Sequence, residues 1–189
     1  TGCNHVSPWP GHDGWDYVFQ ADYLKMYDWM LQGLDEVASY NPNVKISLEF
    51  KPKEPRTHIM INSTAKALLF VNTVNKPNLG INLDVGHANM GYETIAEAVA
   101  LLKRFGNRLI HLHLNDNYRY WDDDMIPGSV HTLEWVEFFY WLDRTGYDGW
   151  YSLDIFAFRE KNKIAVARES LAWLETFAKA AERIDPQEA

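Results

Sequence analysis

Short apolar segments alternate along this chain of 189 residues with segments in which apolar residues recur at helical spacing. The strand-like segments span 44–49, 79–87, 108–116 and 146–156, and the helical patterns cover about 21–39, 63–74, 92–105, 133–145 and 161–184. A strand followed by a helix and another strand favours right-handed βαβ units, and several such units in succession favour a parallel sheet. We therefore predict an α/β fold built from parallel (β/α) units.

Each of the four strand-like segments ends in polar residues of a similar kind. The first ends at Glu49, the second at Asp84 and His87, the third at His113 and the fourth at Asp154. Parallel strands place their carboxyl ends at one edge of a sheet or one rim of a barrel, where α/β proteins carry their functional residues. The sequence therefore predicts a single site assembled from all four strand ends.

Carboxylates and imidazoles that meet at one rim need a compensating positive charge. A divalent cation supplies it, and oxygen and nitrogen ligands together suit Mn²⁺, Mg²⁺, Co²⁺ or Zn²⁺. We predict that Glu49, Asp84, His113 and Asp154 bind one such ion. The imidazole of His113 favours Mn²⁺, Co²⁺ or Zn²⁺ over Mg²⁺.

A second ion is predicted from the loop that follows the third strand. This loop reads "WDDDM" and offers Asp122 and Asp124. Together with Asp84 and His87 they make a second ligand set, because one carboxylate can bridge two ions about 3.5–4 Å apart. The number of ions, one or two, stays open at this point.

Each of these residues also has an ordinary structural interpretation. Glu49 and Lys51 lie on one face of their strand and can form an ion pair at the rim. The triple-aspartate loop can simply be solvated, and His87 can be a loop residue. His111 lies two residues deeper in its strand than His113, which is typical of a core histidine.

The bulk properties exclude some classes of function. A net charge of −8 and a pI of about 5.3 argue against nucleic acid as a partner, which needs a basic surface. No apolar run is long enough to span a membrane. Cys3 is the one cysteine, which fits a reducing compartment, so we expect a cytoplasmic protein.

The order of the motifs resembles the xylose isomerase-like superfamily of sugar isomerases and epimerases. The segment "LEFKPKEPR" is similar to the xylose isomerase signature Glu-x-Lys-Pro-x-Glu-Pro-Arg, matched at Glu49, Lys51, Pro52, Glu54, Pro55 and Arg56. The segment "GINLDVGHANM" resembles the next signature, with Asp84 where xylose isomerases have glutamate. Both motifs fall on the predicted strand ends.

Three further segments extend the resemblance. "HLHLN" followed by Asp122 and Asp124 resembles a third signature, in which His113 replaces an aspartate, as in rhamnose isomerases and tagatose/psicose 3-epimerases. "GYDGWYSLDIF" resembles the last barrel strand, whose acidic ligand falls on Asp154. "SPWPGHDG" resembles the loop after the fourth strand, whose tryptophan, here Trp9, walls the sugar site.

This resemblance implies that residues 1–189 are a single xylose isomerase-like TIM-barrel domain that supplies strands 5–8 of a (β/α)8 barrel and lacks the N-terminal half. Either the chain is a piece of a longer protein, or a second copy or another chain completes the barrel. An open half barrel leaves two sheet edges exposed, which is an aggregation liability. An inactive half barrel that needs a partner is therefore one expectation for the chain alone.

The resemblance also implies an activity in carbohydrate metabolism: metal-dependent interconversion of an aldose and a ketose. Glu49 and Lys51 would be catalytic, and Trp9, Lys51 and His87 would contact the small-molecule sugar. A ketose 3-epimerase of the same superfamily is the alternative, with Glu49 and the shorter Asp154 exchanging a proton. Abasic-site endonucleases also belong to the superfamily, but the acidic charge argues against that activity.

Overall fold

A computed structural model describes residues 2–55, 58–156 and 159–187. Its five strands form one parallel sheet in chain order: β1 (His5–Val6), β2 (Lys45–Glu49), β3 (Leu79–Asp84), β4 (Leu109–Leu114) and β5 (Tyr151–Leu153). Its helices are α1 (Tyr23–Tyr40), α2 (Thr64–Val74), α3 (Val85–Met90), α4 (Ile95–Arg104), α5 (Thr132–Thr145) and α6 (Lys163–Ala181). The sheet curls into part of a barrel, so the predicted α/β class and the parallel (β/α) units are confirmed.

The element boundaries differ most from the sequence prediction in three places. A fifth strand, β1, precedes the four predicted ones, and its two residues are too few to show a period. The predicted strand 79–87 ends at Asp84 because the side chain of Asp84 accepts a hydrogen bond from His87 N and thereby caps α3. The predicted strand 146–156 shortens to β5, because Gly146 ends α5 in a left-handed turn and a loop follows.

Local capping explains where the longer helices begin. The side chains of Asp22, Ser63 and Asn162 each accept a hydrogen bond from the backbone N–H three residues later, at the starts of α1, α2 and α6. At the other end of α2, Asn75 adopts a left-handed conformation with φ of 53°. None of the helices within the described ranges is both long and apolar enough to cross a membrane.

The outer face of the sheet is apolar and packs against the helices. Alternate residues of the strands, such as Leu48, Ile81, Leu83 and Leu112, are fully buried in one hydrophobic cluster with side chains of α2, α4 and α5. Trp135 is the largest fully buried side chain of this cluster. Burial of this apolar surface holds the sheet and helices together.

The inner face is polar, which is unusual for the interior of a parallel sheet. His5 Nε2 lies 2.7 Å from Ser47 Oγ, and Ser152 Oγ lies 2.9 Å from His111 Nε2, so these side chains satisfy one another across the strands. Burial and the nearby charges of His5 and His113 lower the pKa of His111 to about 4. His111 is therefore uncharged and lies beneath the rim, as expected for a core histidine.

Candidate metal centre

Four side chains from four neighbouring strand ends meet at the carboxyl rim. Glu49 and Asp84 end β2 and β3, His113 lies near the end of β4, and Asp154 directly follows β5. Each offers one ligand atom, and these four atoms all lie within 4.8 Å of one another. The sheet register aligns Asp84 with His113, which fixes the two residues side by side. The structure thus brings together the four residues predicted for the first ion.

His113 faces three carboxylates at once. Its Nδ1 lies 3.1 Å from Asp154 Oδ2, 3.5 Å from Glu49 Oε1 and 3.8 Å from Asp84 Oδ2. Despite these distances, this buried nitrogen has no partner with hydrogen-bond geometry among the described residues. Burial alone would lower the pKa of His113, but the carboxylates of Asp154 and Glu49 outweigh burial and raise it to about 10. Such a nitrogen has either a proton or a cation on it.

His87 links the four-residue cluster to the acidic loop. Its Nδ1 lies 3.4 Å from Glu49 Oε1 and 3.8 Å from Asp84 Oδ1, and its Nε2 lies 3.2 Å from Asp122 Oδ2. Burial opposes protonation, yet the charges of Asp84 and Asp122 raise the pKa of His87 to about 9. The ring thus stands between the two groups of carboxylates, where the second ligand set was predicted.

The acidic loop brings Asp122 and Asp124 to the rim in different environments. Asp122 contacts His87 and lies 2.8 Å from Lys51 Nζ; burial would raise its pKa, but these two partners lower it to about 2. Asp124 has a left-handed φ of 47°, and burial together with the charges of Asp122 and Asp154 raises its pKa to about 7. Asp122 is therefore already paired, whereas Asp124 is crowded by like charges.

The charge balance of the rim tests whether a cation fits. Five carboxylates lie at the rim: Glu49, Asp84, Asp122, Asp124 and Asp154. Lys51 and the protonated forms of His87 and His113 supply three positive charges. Two negative charges therefore remain even when both histidines are protonated. Burial raises the pKa of Asp84 to about 6, and the charges of Glu49 and Asp122 add to the effect. Glu49 and Asp84 are buried, Asp122 and Asp124 are partly buried and Asp154 is exposed, and the buried carboxylates require pairing or a metal ion. The residues fit one or two divalent cations.

Lys51 lies between the acidic rim and an aromatic wall. Its Nζ contacts Asp122 and Glu54 and lies 5.3 Å from the centre of the Trp9 ring. Burial would lower the pKa of Lys51, but hydrogen bonds to Asp122 and Glu54 raise it, so the amine stays charged. Trp9 is 40% exposed and borders the open side of the site. Arg56, the last residue of the first matched signature, lies outside the described residues.

Sequence reasoning missed the amides that orient the ligand carboxylates. Asn82 Nδ2 donates to Glu49 Oε2 at 3.2 Å, and Asn115 Nδ2 lies 3.1 and 3.3 Å from the two carboxylate oxygens of Asp84. The signal was present, because Asn82 lies two residues before Asp84 and Asn115 two residues after His113, on the same inward-facing alternation. Such outer partners fix the orientation of metal ligands.

Gly86, in the segment "DVGH", is required by the approach of two chain segments. A Cβ atom at this position would collide with Asn115 Oδ1, which lies against the backbone of α3. Asn115 is fully buried and cannot move away without releasing Asp84. The glycine therefore allows the amide that orients the Asp84 carboxylate.

The family described as "Xylose isomerase-like TIM barrel" matches residues 1–177 of this chain. The chain belongs to the xylose isomerase-like TIM barrel family. The resemblance drawn from the strand-end motifs is thus confirmed, and the half-barrel sheet agrees with it.

Several relatives are sugar isomerases or epimerases. The chain is 27% identical over 183 residues to a xylose isomerase of Thermus thermophilus, and the match covers 94% of this chain and 47% of the isomerase. The fold matches a D-tagatose 3-epimerase-like protein with a TM-score of 0.69 and 25% identity, covering 98% of this chain and 65% of that one. It also matches an IolI protein with a bound zinc atom with a TM-score of 0.72, 19% identity and coverage of 96% and 65%, which shows the fold alone. The chain thus spans about half the length of the curated xylose isomerase.

Proposed function

We propose that this chain carries the metal-binding part of a sugar isomerase that interconverts an aldose and a ketose with the help of a divalent cation. The observation that supports this most is the convergence of Glu49, Asp84, His113 and Asp154 within 4.8 Å of one another. When bound there, a divalent cation would act as a Lewis acid that stabilises negative charge on the substrate oxygens. Mn²⁺, Co²⁺, Mg²⁺ and Zn²⁺ are the candidate ions.

The catalytic work of the protein's own groups centres on Lys51. Its ammonium is held in place by Asp122 and Glu54, which leaves part of its hydrogen-bonding capacity for a ligand. We infer that Lys51 donates a hydrogen bond to the substrate oxygen on which negative charge develops. Such a donor, fixed in advance by its neighbours, stabilises the transition state more than the ground state.

The substrate would lie on the open side of the cluster, against Trp9. The ring of Trp9 offers an apolar face to the sugar carbons and excludes water from the reacting atoms. His87 lies between Glu49 and Asp122, at the position where a ligand hydroxyl and the second cation would meet. We therefore keep Trp9, Lys51 and His87 as the proposed sugar contacts.

A 3-epimerase is the second candidate, and one observation favours it. Glu49 and Asp154 both contact His113 Nδ1, so two carboxylates approach the centre from different strands, as a proton exchange at one carbon needs. The D-tagatose 3-epimerase-like protein of similar fold supports this reading. Lys51 and the Asp122–His87 contact favour the isomerase, because an epimerase of this design needs neither the amine nor a second cation.

We further propose that activity belongs to a closed barrel. In the described part of the sheet, β1 and β5 each pair with a neighbour on one side only. A TIM barrel has eight strands, so three more would close the sheet. Further sequence, a partner chain or another copy of this chain are the candidates. The exposed thiol of Cys3 fits the proposed cytoplasmic location.

An isotope experiment on the closed-barrel protein separates the two activities. Aldoses deuterated at C2 are incubated with the Mn²⁺- or Co²⁺-loaded protein, and the products are read by NMR. An isomerase that shifts hydrogen directly retains the deuterium at C1 of the ketose. A 3-epimerase instead incorporates solvent deuterium at C3 of a ketose in D₂O. Turnover that persists in EDTA, or in a Glu49→Gln variant, would refute both activities.

A further inference from the structure

The loop that carries Asp122 and Asp124 is closed at its base by the backbone. Asp116 N donates to Met125 O at 2.9 Å, and Met125 N donates to Asp116 O at 2.8 Å. Residues 117–124 therefore form a loop that leaves β4 and returns to the same point before α5 begins. Next to this closure, Phe156 N donates to Asp124 O, which joins the loop to the segment after β5.

A buried carboxylate away from the metal cluster fastens this loop to α5. Asp116 is fully buried, and its Oδ1 accepts from Asn117 N at 2.9 Å and lies 2.6 Å from His131 Nδ1. Its Oδ2 accepts from Val130 N at 3.0 Å and His131 N at 3.1 Å. One side chain thus binds both the start of the loop and the residues that precede α5.

His131 connects this carboxylate to the outer part of the loop. Arg119 Nε donates to His131 Nε2 at 2.9 Å, so Nε2 is the acceptor and Nδ1 carries the hydrogen that is donated to Asp116. Asn117 adds a link to the metal centre, because its Nδ2 donates to Gly86 O at 2.8 Å, next to His87. The Asp116–His131–Arg119 contacts therefore tie the loop to α5, and the Asn117 contact ties it to α3.

An ordinary capping role does not account for His131. Although His131 is the N-cap residue of α5, its side chain makes no capping hydrogen bond and turns back to Asp116 instead. The loop itself needs external support. Arg119 and Asp124 both have left-handed backbone conformations, with φ of 63° and 47°, which non-glycine residues adopt only when their surroundings impose them.

The contacts of Asp116 and His131 counteract electrostatic repulsion between the acidic loop and the rim. Asp122 and Asp124 face a rim that already holds Asp84 and Asp154, and like charges at this range repel one another. Because Asp122 is paired with His87 and Lys51, the repulsion acts mainly on Asp124 and, without a cation, disfavours its position over the cluster. The contacts of Asp116 with Val130 and His131 fix the base of the loop and oppose a movement of Asp124 away from the cluster.

We propose that Asp116 and His131, supported by Arg119, are positioning residues that hold Asp122 and Asp124 over the cluster before a second cation binds there. This inference rests on the second cation of the proposed isomerase. Within the described part of the chain, the hydrogen bonds of the two side chains reach none of the proposed ligand atoms. The Asp116–His131 pair affects the geometry of the loop, and therefore the binding of the second cation alone.

The test compares His131→Ala with His131→Asn in the 189-residue chain. The asparagine amide can place an N–H where Nδ1 stands and so restore the bond to Asp116, whereas alanine cannot. Co²⁺ binding is measured by calorimetry, and hydrogen exchange of residues 117–125 is measured by mass spectrometry in EDTA. We expect His131→Ala to weaken the second Co²⁺ by about tenfold to a hundredfold, as partners behind metal ligands do, and to leave the first unchanged.

Exchange of residues 117–125 should also be faster in His131→Ala, and His131→Asn should restore both the exchange and the second Co²⁺. If His131→Ala does not fold, Arg119→Gln removes the outermost contact, together with the ion pair of Arg119 with Glu134, and should show a smaller change of the same kind. Unchanged exchange would overturn the proposal, and so would faster exchange with two Co²⁺ bound at unaltered affinity. If the wild-type chain binds no second Co²⁺, the two-cation isomerase fails, and faster exchange with rescue by asparagine then still supports the loop-holding role.

Discussion

Replacement of Asp84 by asparagine should separate the stability of the fold from the binding of metal. Asp84 is fully buried, caps α3 through His87 N and accepts from Asn115. Asparagine keeps the shape and one acceptor oxygen, so the cap can persist. It removes a charge that is unfavourable in the cation-free protein and that both proposed cations need.

The magnitude follows from the pKa of the buried carboxyl. Burial raises this pKa from 3.8 to about 6, which at 1.36 kcal/mol per unit amounts to about 3 kcal/mol at pH 7. Because the folded-state pKa lies above the unfolded one, the cation-free protein loses this stability as the pH rises from about 4 to about 6. The attraction of His87 is already contained in this pKa, but the amide nitrogen of the variant would face the donor Asn115 Nδ2, so 3 kcal/mol is an upper bound.

The assay is thermal unfolding at pH 7, first with EDTA and then with Mn²⁺ or Co²⁺. In EDTA, Asp84→Asn should melt no lower than the wild type, and up to roughly 10 °C higher at 2–4 °C per kcal/mol. A cation at a hundred times its dissociation constant adds about 2.7 kcal/mol to the wild type, or roughly 5–10 °C, and should add nothing to the variant.

Asp28→Asn, which removes the same charge from the exposed surface of α1, is the control and should leave both melts unchanged. A variant that melts well below the wild type in EDTA would contradict the reasoning about the buried charge. A variant that keeps the metal-induced shift would contradict the assignment of Asp84 as a ligand.

The geometry of the rim also predicts the effects of two substitutions and the number of protons released when Co²⁺ binds. Lys51→Ala should abolish turnover in the closed-barrel protein and keep the number of bound Co²⁺ ions, as measured by calorimetry; loss of metal would show that the amine is structural. Gly86→Ala should lower the melting temperature and the metal affinity, because its Cβ has no space, whereas Gly33→Ala in the open middle of α1 should raise stability by about 0.5–1 kcal/mol. Co²⁺ binding at pH 7 should release about two protons, because the pKa values of His87 and His113 lie at about 9 and about 10 without a cation; equal binding heats in buffers of different ionisation enthalpy would contradict this.

The sequence predicted the parts of the fold that depend on period and on strand ends. The alternation of apolar and polar residues gave the order of the longer elements, and the ends of β2 to β5 gave the four ligands that the structure brings together. This worked because neighbouring parallel strands in register place equivalent positions side by side. The sequence did not predict β1, because pairing with β2, rather than a pattern in its own two residues, makes it a strand.

The rest of the site depends on contacts that no local pattern encodes. The Asp116–His131 pair spans a loop whose path depends on positive backbone angles at Arg119 and Asp124. His131 belongs to no strand or helix pattern in the sequence, and a histidine before a helix is otherwise an ordinary loop residue. Asn115, by contrast, continues the alternation of β4, and attention to the whole inward face of the strand would have found it.

The most direct test of the metal centre is an anomalous difference map from crystals of the chain grown with Co²⁺, measured at the cobalt absorption edge. We expect one peak about 2.0–2.2 Å from ligand atoms of Glu49, Asp84, His113 and Asp154, the distance expected for nitrogen and oxygen ligands. We expect a second peak about 3.5–4 Å away, beside Asp122 and Asp124. Ordered side chains at this rim with no anomalous peak among them, or a peak only at another surface, would contradict the proposed metal centre.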